Sequence, residues 1–315
     1  MTVDSWAKMG PGVEFDLIRR MAARWGELVR HAGDDAAILE IRQGARLVAS
    51  TDTSVEGVHF RREWLSLEDV GYRASVAALS DLAAMAAEPV GLLIAATIPA
   101  GIAETIEQLA DGIGQAARDC GCPIVGGDLT GGDRISLTMT VLGAADPPIG
   151  RGGARVGHGV WLTGRLGAPG AAVRALLSGE LPSAEHWPRF AHPVARIEEA
   201  RWLAEHGATA MIDLSDGLSS DARHIAAASG VALEIDVSCV PCVPDVTARA
   251  ACSSGEEYEL LLTAPDEYDV EEFESLFDIP LTRIGMVVEG DAAAVVFMDG
   301  EERVDLLAGY DHFSA

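Results

Sequence analysis

The chain has 315 residues, of which 49% are hydrophobic and 23% charged, so it can bury enough apolar surface to fold and is long enough for two domains. Its 23 basic and 49 acidic residues give a formal net charge of −26, which repels the phosphates of nucleic acids and anionic lipids. We therefore expect neither nucleic acid nor a membrane as a partner, and no apolar run approaches the length of a membrane span.

Helices and strands are predicted on both sides of a seam at residues 144–153, where two prolines and three glycines follow an alternating strand. Before the seam, the pattern predicts helices over 14–30, 68–87 and 102–120 and strands at 36–41, 46–50, 91–98, 123–125 and 135–142. After it, the pattern predicts strands at 159–163 and 210–214 and helices over 169–178, 193–206 and 217–229, followed by further strands and helices. This mixture indicates an α/β (α+β) fold in two domains, 1–148 and 149–315.

Lys8 is the only lysine among the 23 basic residues. This excludes mechanisms that need a lysine deep in the chain, including the P-loop, the protein-kinase strand lysine and Schiff-base catalysis. If the protein handles phosphates, metal ions and arginine must supply the positive charge.

The cysteines are an odd number in a long chain that shows no signal-peptide pattern, so we expect reduced thiols and a cytoplasmic location. Two pairs that are close in sequence, Cys120 with Cys122 and Cys239 with Cys242, could form a zinc site, although most such cysteines are simply buried in the core. The five residues are Cys120, Cys122, Cys239, Cys242 and Cys252.

Two acidic segments adjoin predicted strands in the first half. Asp34 lies in a Gly-Asp turn, which is often only structural. Ser50, Thr51 and Asp52 follow a predicted strand and offer the hard oxygen ligands that suit Mg²⁺, although a capped turn would use the same residue types.

Asp81 lies in the middle of an almost apolar helix, Ala74 to Ala87. A carboxylate buried there is costly unless it is paired, protonated or bound to a metal. Arg73 is two turns away, so an ion pair and a metal ion both remain as explanations.

Two later segments repeat this logic. Asp128 follows Gly126 and Gly127, whose backbone could approach a phosphate closely, although double-glycine turns are common. Asp213, Ser215 and Asp216 fall at a predicted strand-to-helix junction, where an N-cap is the simpler explanation for Asp216. Together the segments predict a site for divalent cations and a nucleotide triphosphate, with Arg151 as a candidate phosphate ligand.

Eight stretches resemble the thiamine-monophosphate kinase family, in the superfamily that includes aminoimidazole-ribonucleotide synthetase, selenophosphate synthetase and a hydrogenase-maturation protein. STDT with GVHF and LSDLAAM is specific to the family, whereas DLSDGL is shared more broadly. In chain order the stretches are GDDAAI at Gly33, STDTSVEGVHF at Ser50, LSDLAAMAAEP at Leu79, VGGDLTGG at Val125, RGGA at Arg151, IDLSDGLSSD at Ile212, SGEEYELLLT at Ser254 and GYDHF at Gly309.

The resemblance implies ATP-dependent phosphorylation of thiamine monophosphate to thiamine diphosphate, with ATP as co-substrate and several Mg²⁺ ions. It implies a homodimer in which the sheet of the amino-terminal, ATP- and Mg²⁺-binding domain pairs with that of the second subunit, and a carboxy-terminal α/β domain. The implied magnesium ligands are Asp34, Ser50, Thr51, Asp52, Asp81, Asp128, Asp213 and Asp216. The implied ATP-binding residues are Gly127, Asp128, Arg151 and Ser215, and the implied substrate-binding residues are His59, Glu256 and Tyr310.

Asp52 and Asp213 are the residues we expect to be catalytic. Because the acceptor phosphate is already anionic, it needs little general-base help, and we expect direct in-line transfer without a phospho-enzyme. The chain departs from the family pattern in two segments. In the segment that usually reads Gly-Gly-Glu-Asp-Tyr-Glu, Ser254 replaces the first glycine and Glu257 replaces the aspartate. After Arg151, Gly152 replaces the usual serine.

Some signals have plainer explanations. His59 alone would more often be a packed or surface histidine, and Tyr310 an anchoring aromatic, although its ring could stack on a thiamine heterocycle. The glycine-rich segment 164–170 resembles a phosphate loop, but such strand–helix links are usually only turns, so we leave it out of the site.

Other functions are less well supported. Selenophosphate synthetase needs a reactive cysteine or selenocysteine near its amino terminus, and the hydrogenase-maturation protein ends in cysteine; neither feature is present. An enzyme like aminoimidazole-ribonucleotide synthetase is the remaining enzymatic alternative. An acidic protein that only binds divalent metals would also explain the charge, but no EF-hand loop occurs.

Overall fold

The fold is described from a computed structural model for residues 12–30, 36–265 and 267–305. Two compact units are present. The amino-terminal unit extends to Leu82 and continues from Ala87 to Pro147, and the carboxy-terminal unit contains Ala83–Ala86 and begins again at Pro148. Within the described ranges, no helix is both long enough and apolar enough to cross a membrane.

The amino-terminal unit is built on a sheet whose described strands lie in the order β1-β4-β2-β3. β2 and β3 are parallel, and β4 is antiparallel to both β1 and β2. Its strands are β1 (Arg46–Val55), β2 (Glu88–Ile98), β3 (Ile124–Gly131) and β4 (Ser136–Ala145). The helices before residue 148 are α1 (Val13–Trp25), α2 (Leu67–Ala84) and α3 (Ile106–Asp119).

Helices α2 and α3 touch through glycine. A Cβ atom on Gly112 would lie 1.8 Å from the Glu68 carbonyl oxygen, and one on Gly71 would lie 2.3 Å from that of Leu109. No larger residue fits either position without moving the backbone of the facing helix. This contact fixes α2, the helix that carries Asp81.

The carboxy-terminal unit is built on a sheet whose described strands lie in the order β11-β10-β7-β9-β5-β8-β6. The strands are β5 (Gly159–Thr163), β6 (Ala210–Asp213), β7 (Ala232–Asp236), β8 (Leu260–Ala264), β9 (Leu281–Val288), β10 (Val295–Asp299) and β11 (Glu302–Val304). The helices are α4 (Ala168–Leu177), α5 (Trp187–Ala191), α6 (Ile197–Glu205), α7 (Leu218–Ser229), α8 (Ala248–Cys252) and α9 (Val270–Phe277).

An aliphatic core in this unit includes Leu218 and Ile225 of α7 together with Ile212 of β6. A separate aromatic cluster joins Trp202 of α6 to Phe273 of α9, with ring centroids 5.4 Å apart. Because Ile212 packs in the aliphatic core, β6 is held firmly directly before Asp213 and the turn that follows it.

The mixed α/β architecture predicted for both halves is confirmed, but several boundaries were wrong. Residues 36–41 form no strand, since they have no ladder partner and Ile38 is 75% exposed. Strands β1 and β3 run past their predicted ends at residues 50 and 125 because both continue to pair with neighbouring strands. The predicted helix over 102–120 starts as a 3₁₀ helix, Ala100–Thr105, before α3.

Candidate active site

Ser50 and Asp81 are brought into contact by the packing of α2 against the sheet. The Ser50 hydroxyl donates a hydrogen bond of 2.5 Å to Oδ2 of Asp81, and both residues are half-buried. A hydroxyl and a carboxylate oxygen side by side are suitable ligands for a hard cation. Two of the predicted metal ligands therefore lie together.

Asp52 lies two residues after Ser50 within β1, so the two side chains lie on the same face of the strand. It is exposed, and its Oδ1 accepts a 2.7 Å hydrogen bond from the backbone N–H of Thr53. The expected position at the end of a strand was wrong, because Asp52 pairs with Met139 inside a strand that continues to Val55. Its exposure follows from the place of β1 at the sheet edge.

Thr51 and Asp128 lie on the opposite face of the sheet from Ser50, Asp52 and Asp81. Directly paired residues share a face, and both Thr51 and Asp128 are exposed. The row that contains Asp128 crosses the sheet through Ala95, Thr138 and Thr53. The structure therefore divides the predicted ligands of this unit between the two faces.

Gly127 lies inside β3 rather than in the phosphate-cradling loop expected from the sequence. It pairs with Ile94, and a Cβ atom would lie 2.0 Å from the Ile94 carbonyl oxygen. The expectation failed because two adjacent glycines usually signal a turn, whereas here they permit close approach of two strands.

His59 lies in the turn after β1 with one ring nitrogen engaged. Its Nδ1 accepts a 3.0 Å hydrogen bond from the backbone N–H of Val55, so in the neutral ring the proton resides on Nε2. The turn is held by Glu56, which accepts from Nε of Arg62 at 2.6 Å and from the N–H of Ile135 at 3.1 Å. Burial acts to raise the pKa of Glu56, but these hydrogen bonds lower it below its ordinary value.

In the carboxy-terminal unit, Asp213 ends β6 and is only 5% exposed. The turn that follows is clamped by residues 256–259. The N–H of Glu256 donates to the Ser215 carbonyl at 2.7 Å, and the N–H of Tyr258 donates to that of Leu214 at 2.9 Å. Ser215 is exposed and Asp216 half-buried, so three predicted residues lie in one short segment.

Asp221, one turn into α7, was not predicted as a site residue. Its side chain is buried, and its Oδ2 accepts hydrogen bonds from the backbone N–H groups of Ser215, Asp216 and Gly217 at 3.0, 3.1 and 3.1 Å. Burial, with the carboxylates of Asp213 and Asp216, raises the pKa of Asp221 to about 7. The signal was its position in the first turn of a predicted helix, which by itself indicates only helix capping.

Glu256 adopts a left-handed backbone conformation with φ of 58°, which is uncommon for a residue other than glycine. The two other acids of the same segment, Glu257 and Glu259, are buried. Glu259 is bound by Arg189 and Arg196, with 2.6 Å between its Oε1 and Nη2 of Arg196. Burial alone would raise the pKa of Glu259, but the two guanidinium groups lower it to about 2.

Glu257 and Ser254, which depart from the family pattern, occupy the N-terminus of α4. Oε1 of Glu257 accepts from the N–H of Gly167 at 2.7 Å, and Oγ of Ser254 accepts from the N–H of Gly170 at 3.0 Å. Burial raises the pKa of Glu257 to about 8. Both N–H groups have internal partners, which supports leaving segment 164–170 out of the site.

Arg151, the candidate phosphate ligand, is exposed in the carboxy-terminal unit. Its carbonyl oxygen accepts a 2.9 Å hydrogen bond from the hydroxyl of Ser229. Asp34 and Tyr310 lie outside the described residues. All five cysteines are free thiols, with no disulfide bond among them.

Comparison with known proteins places both units in one class. Residues 33–145 match the family model for the N-terminal domain of AIR synthase related proteins, and residues 155–297 match the model for the C-terminal domain. Both halves of the chain are therefore AIR synthase related.

Individual relatives narrow this class. Thiamine-monophosphate kinase from Bacillus subtilis (strain 168) is 31% identical over 325 residues, covering 95% of this chain and 99% of the relative. The crystal structure of thiamine-monophosphate kinase from Stenotrophomonas maltophilia K279a matches with a TM-score of 0.80 and 32% identity, covering 91% of this chain and 96% of the other. AaThiL complexed with AMPPCP and TMP matches with a TM-score of 0.75 and 29% identity, covering 95% and 97%. The chain belongs to the thiamine-monophosphate kinase family, as the sequence predicted.

Proposed function

We propose that this chain transfers the γ-phosphoryl group of ATP to the phosphate of thiamine monophosphate, forming thiamine diphosphate and ADP. The observation that carries this proposal is its similarity, over nearly the whole length, to thiamine-monophosphate kinases and to AaThiL complexed with AMPPCP and TMP. A phosphate oxygen of the acceptor attacks the γ-phosphorus in line, and the bond from that phosphorus to the β–γ bridging oxygen breaks.

The donor atoms in both units fit magnesium, which favours carboxylate and hydroxyl oxygens. Among the described residues, no group of three or more His, Cys, Asp or Glu side chains is arranged to hold a metal ion by itself. This agrees with the usual Mg²⁺ site, where one or two carboxylates act together with water and substrate phosphates.

In this proposal magnesium ions would be held by Asp34, Ser50, Thr51, Asp52, Asp81, Asp128, Asp213 and Asp216, with Asp52 and Asp213 directly catalytic. Bound magnesium would neutralise the phosphate charges of both substrates. Gly127, Asp128, Arg151 and Ser215 would bind ATP. His59, Glu256 and Tyr310 would bind thiamine monophosphate, with Nε2–H of His59 as a hydrogen-bond donor.

We further propose that residues 1–148 form an ATP- and Mg²⁺-binding domain that pairs with a second copy in a homodimer. Residues 149–315 form a second domain. The protein is located in the cytoplasm. What supports the dimer is the sheet face that carries Thr51 and Asp128. Leu47, on the same face of β1, is 54% exposed, and Ala95 of β2 is also exposed. A second subunit would cover this apolar and hydroxyl-rich surface.

A coupled assay of ADP release tests the function. With ATP and Mg²⁺, we expect turnover with thiamine monophosphate and none with thiamine or with the precursor of aminoimidazole ribonucleotide. Turnover with that precursor instead would favour the other enzymatic alternative. Calorimetry that showed Ca²⁺ binding but no binding of ATP with Mg²⁺ would favour a simple metal-binding protein.

A further inference from the structure

A single carboxylate oxygen organises the turn after β6. Oδ2 of Asp221 accepts hydrogen bonds from three consecutive N–H groups, those of Ser215, Asp216 and Gly217. Asp221 is 1% exposed, and it lies on α7 beyond the turn that it holds. The three hydrogen bonds are therefore made inside the protein rather than with solvent.

Consecutive N–H groups that converge beside a helix N-terminus usually form an anion-binding concavity, and in many proteins the anion is a ligand phosphate. Here the anion belongs to the chain itself. The amides of Ser215 to Gly217 are consequently engaged before any substrate arrives, while Asp213 and Asp216 lie close enough to Asp221 to act on it electrostatically.

We propose that Asp221 is a positioning residue: it fixes the turn so that Asp213 and Asp216 can bind a divalent cation, and it excludes phosphate from the amides of the turn. This inference rests on the proposed function. The turn thereby binds phosphate only through cations and side chains. Loss of the Asp221 carboxylate by substitution would free the N–H groups of residues 215–217 and remove an acidic group from beside the cation site.

The direct test measures binding of Mn²⁺ together with AMPPCP, by calorimetry, to the full chain and to its Asp221→Asn variant. The variant keeps the size of the side chain but not its charge or its full capacity to accept hydrogen bonds. We expect binding at least about tenfold weaker, the size typical when a residue that orients a metal ligand is lost. A folded variant that binds Mn²⁺ within twofold of wild type would overturn the proposal.

Asp269→Asn is the matched control, because the Asp269 carboxylate also accepts a hydrogen bond from a backbone N–H near the start of a helix, that of Glu272 at 3.0 Å in α9. Both variants should lose some thermal stability, but only Asp221→Asn should raise the Mg²⁺ concentration for half-maximal turnover, with the KM for thiamine monophosphate unchanged. Equal Mg²⁺ dependence in the two variants would leave Asp221 with only a structural role in the turn and contradict its positioning role.

Hydrogen exchange of the wild-type chain covers the case in which Asp221→Asn does not fold. Without Mg²⁺, the amides of residues 215–217 should exchange slowly. Inorganic phosphate at about 10 mM, a concentration at which weak anion sites fill, should not change their protection. Fast exchange, or protection that appears only with phosphate, would overturn the proposal. Failure of the proposed function is separately visible as Mn²⁺ binding without turnover of thiamine monophosphate.

Discussion

The two units hold their candidate residues in different ways. In the carboxy-terminal unit, Asp213 and Asp221 are buried, and the turn between them is fixed by its hydrogen bonds with residues 256–259 and by the N–H groups that it donates to the Asp221 carboxylate. In the amino-terminal unit, Thr51 and Asp52 are exposed on a strand at the sheet edge. The first arrangement is set by the protein alone, whereas the second leaves its side chains ready for contacts with ligands.

The largest effect should come from the buried ion pair that anchors the carboxy-terminal turn. Arg196→Ala leaves the carboxylate of Glu259 buried with one of its two guanidinium partners gone, so we expect a loss of about 3–5 kcal/mol in the free energy of unfolding. Urea denaturation followed by tryptophan fluorescence measures it. Arg201→Ala, which breaks the exposed pair with Glu198, is the control and should cost less than about 1 kcal/mol.

The next prediction concerns the acids themselves. Asp213→Ala and Asp52→Ala should each lower turnover by about 100-fold or more while leaving the melting temperature within a few degrees, since their main role is electrostatic. Asp236→Ala, which removes a carboxylate from another turn of the carboxy-terminal unit, should keep normal turnover. Wild-type rates at saturating Mg²⁺ in either of the first two variants would contradict the site assignment.

Two glycines of β3, Gly127 and Gly131, provide a test of the pairing between β2 and β3. Gly127→Ala places a Cβ atom 2.0 Å from a backbone oxygen, so we expect a destabilisation of about 1–3 kcal/mol. Gly131→Ala meets nothing within 4 Å and should be nearly neutral in the same urea titration. Equal stability of the two variants would show that the β2–β3 pairing is wrong.

The smallest effect is a dependence of stability on pH. Glu257 has a folded pKa of about 8 against an ordinary value of 4.5, so between these values the folded state binds more protons than the unfolded chain. The contribution of Glu257 to the free energy of unfolding therefore falls as the pH rises from about 4.5 to about 8. We expect Glu257→Gln to lose a few degrees less in melting temperature between pH 5 and pH 8 than wild type does.

The exposed Glu180→Gln variant is the control for this measurement and should follow wild type, with EDTA present in every sample. A parallel pH dependence in wild type and Glu257→Gln would contradict a protonated Glu257 in the folded protein.

The sequence predicted the features that depend on local pattern. Hydrophobic periodicity located α2 around Asp81, and the run from Ala210 to Leu214 located β6 and the acidic turn after it. What it could not predict depends on pairing between distant segments. The extension of β1 past Asp52 requires β4, and the inclusion of Gly127 in a strand requires β2.

Asp221 illustrates the same limit within the site. Its place in a helix was predictable, but its three hydrogen bonds to the preceding turn exist only once α7 is docked on the sheet. The contacts of Ser254 and Glu257 with the start of α4 join segments nearly ninety residues apart, with separations of 84 and 90 positions. No short-range pattern carries such information.

The most direct test of the whole account is a crystal structure of the protein with Mn²⁺, AMPPCP and thiamine monophosphate, in which anomalous scattering locates the ions. We predict anomalous peaks within about 2.5 Å of carboxylate oxygens of Asp52, Asp213 and Asp216, each also bound to a phosphate oxygen. Ions placed elsewhere, with these three carboxylates away from both substrates, would contradict it.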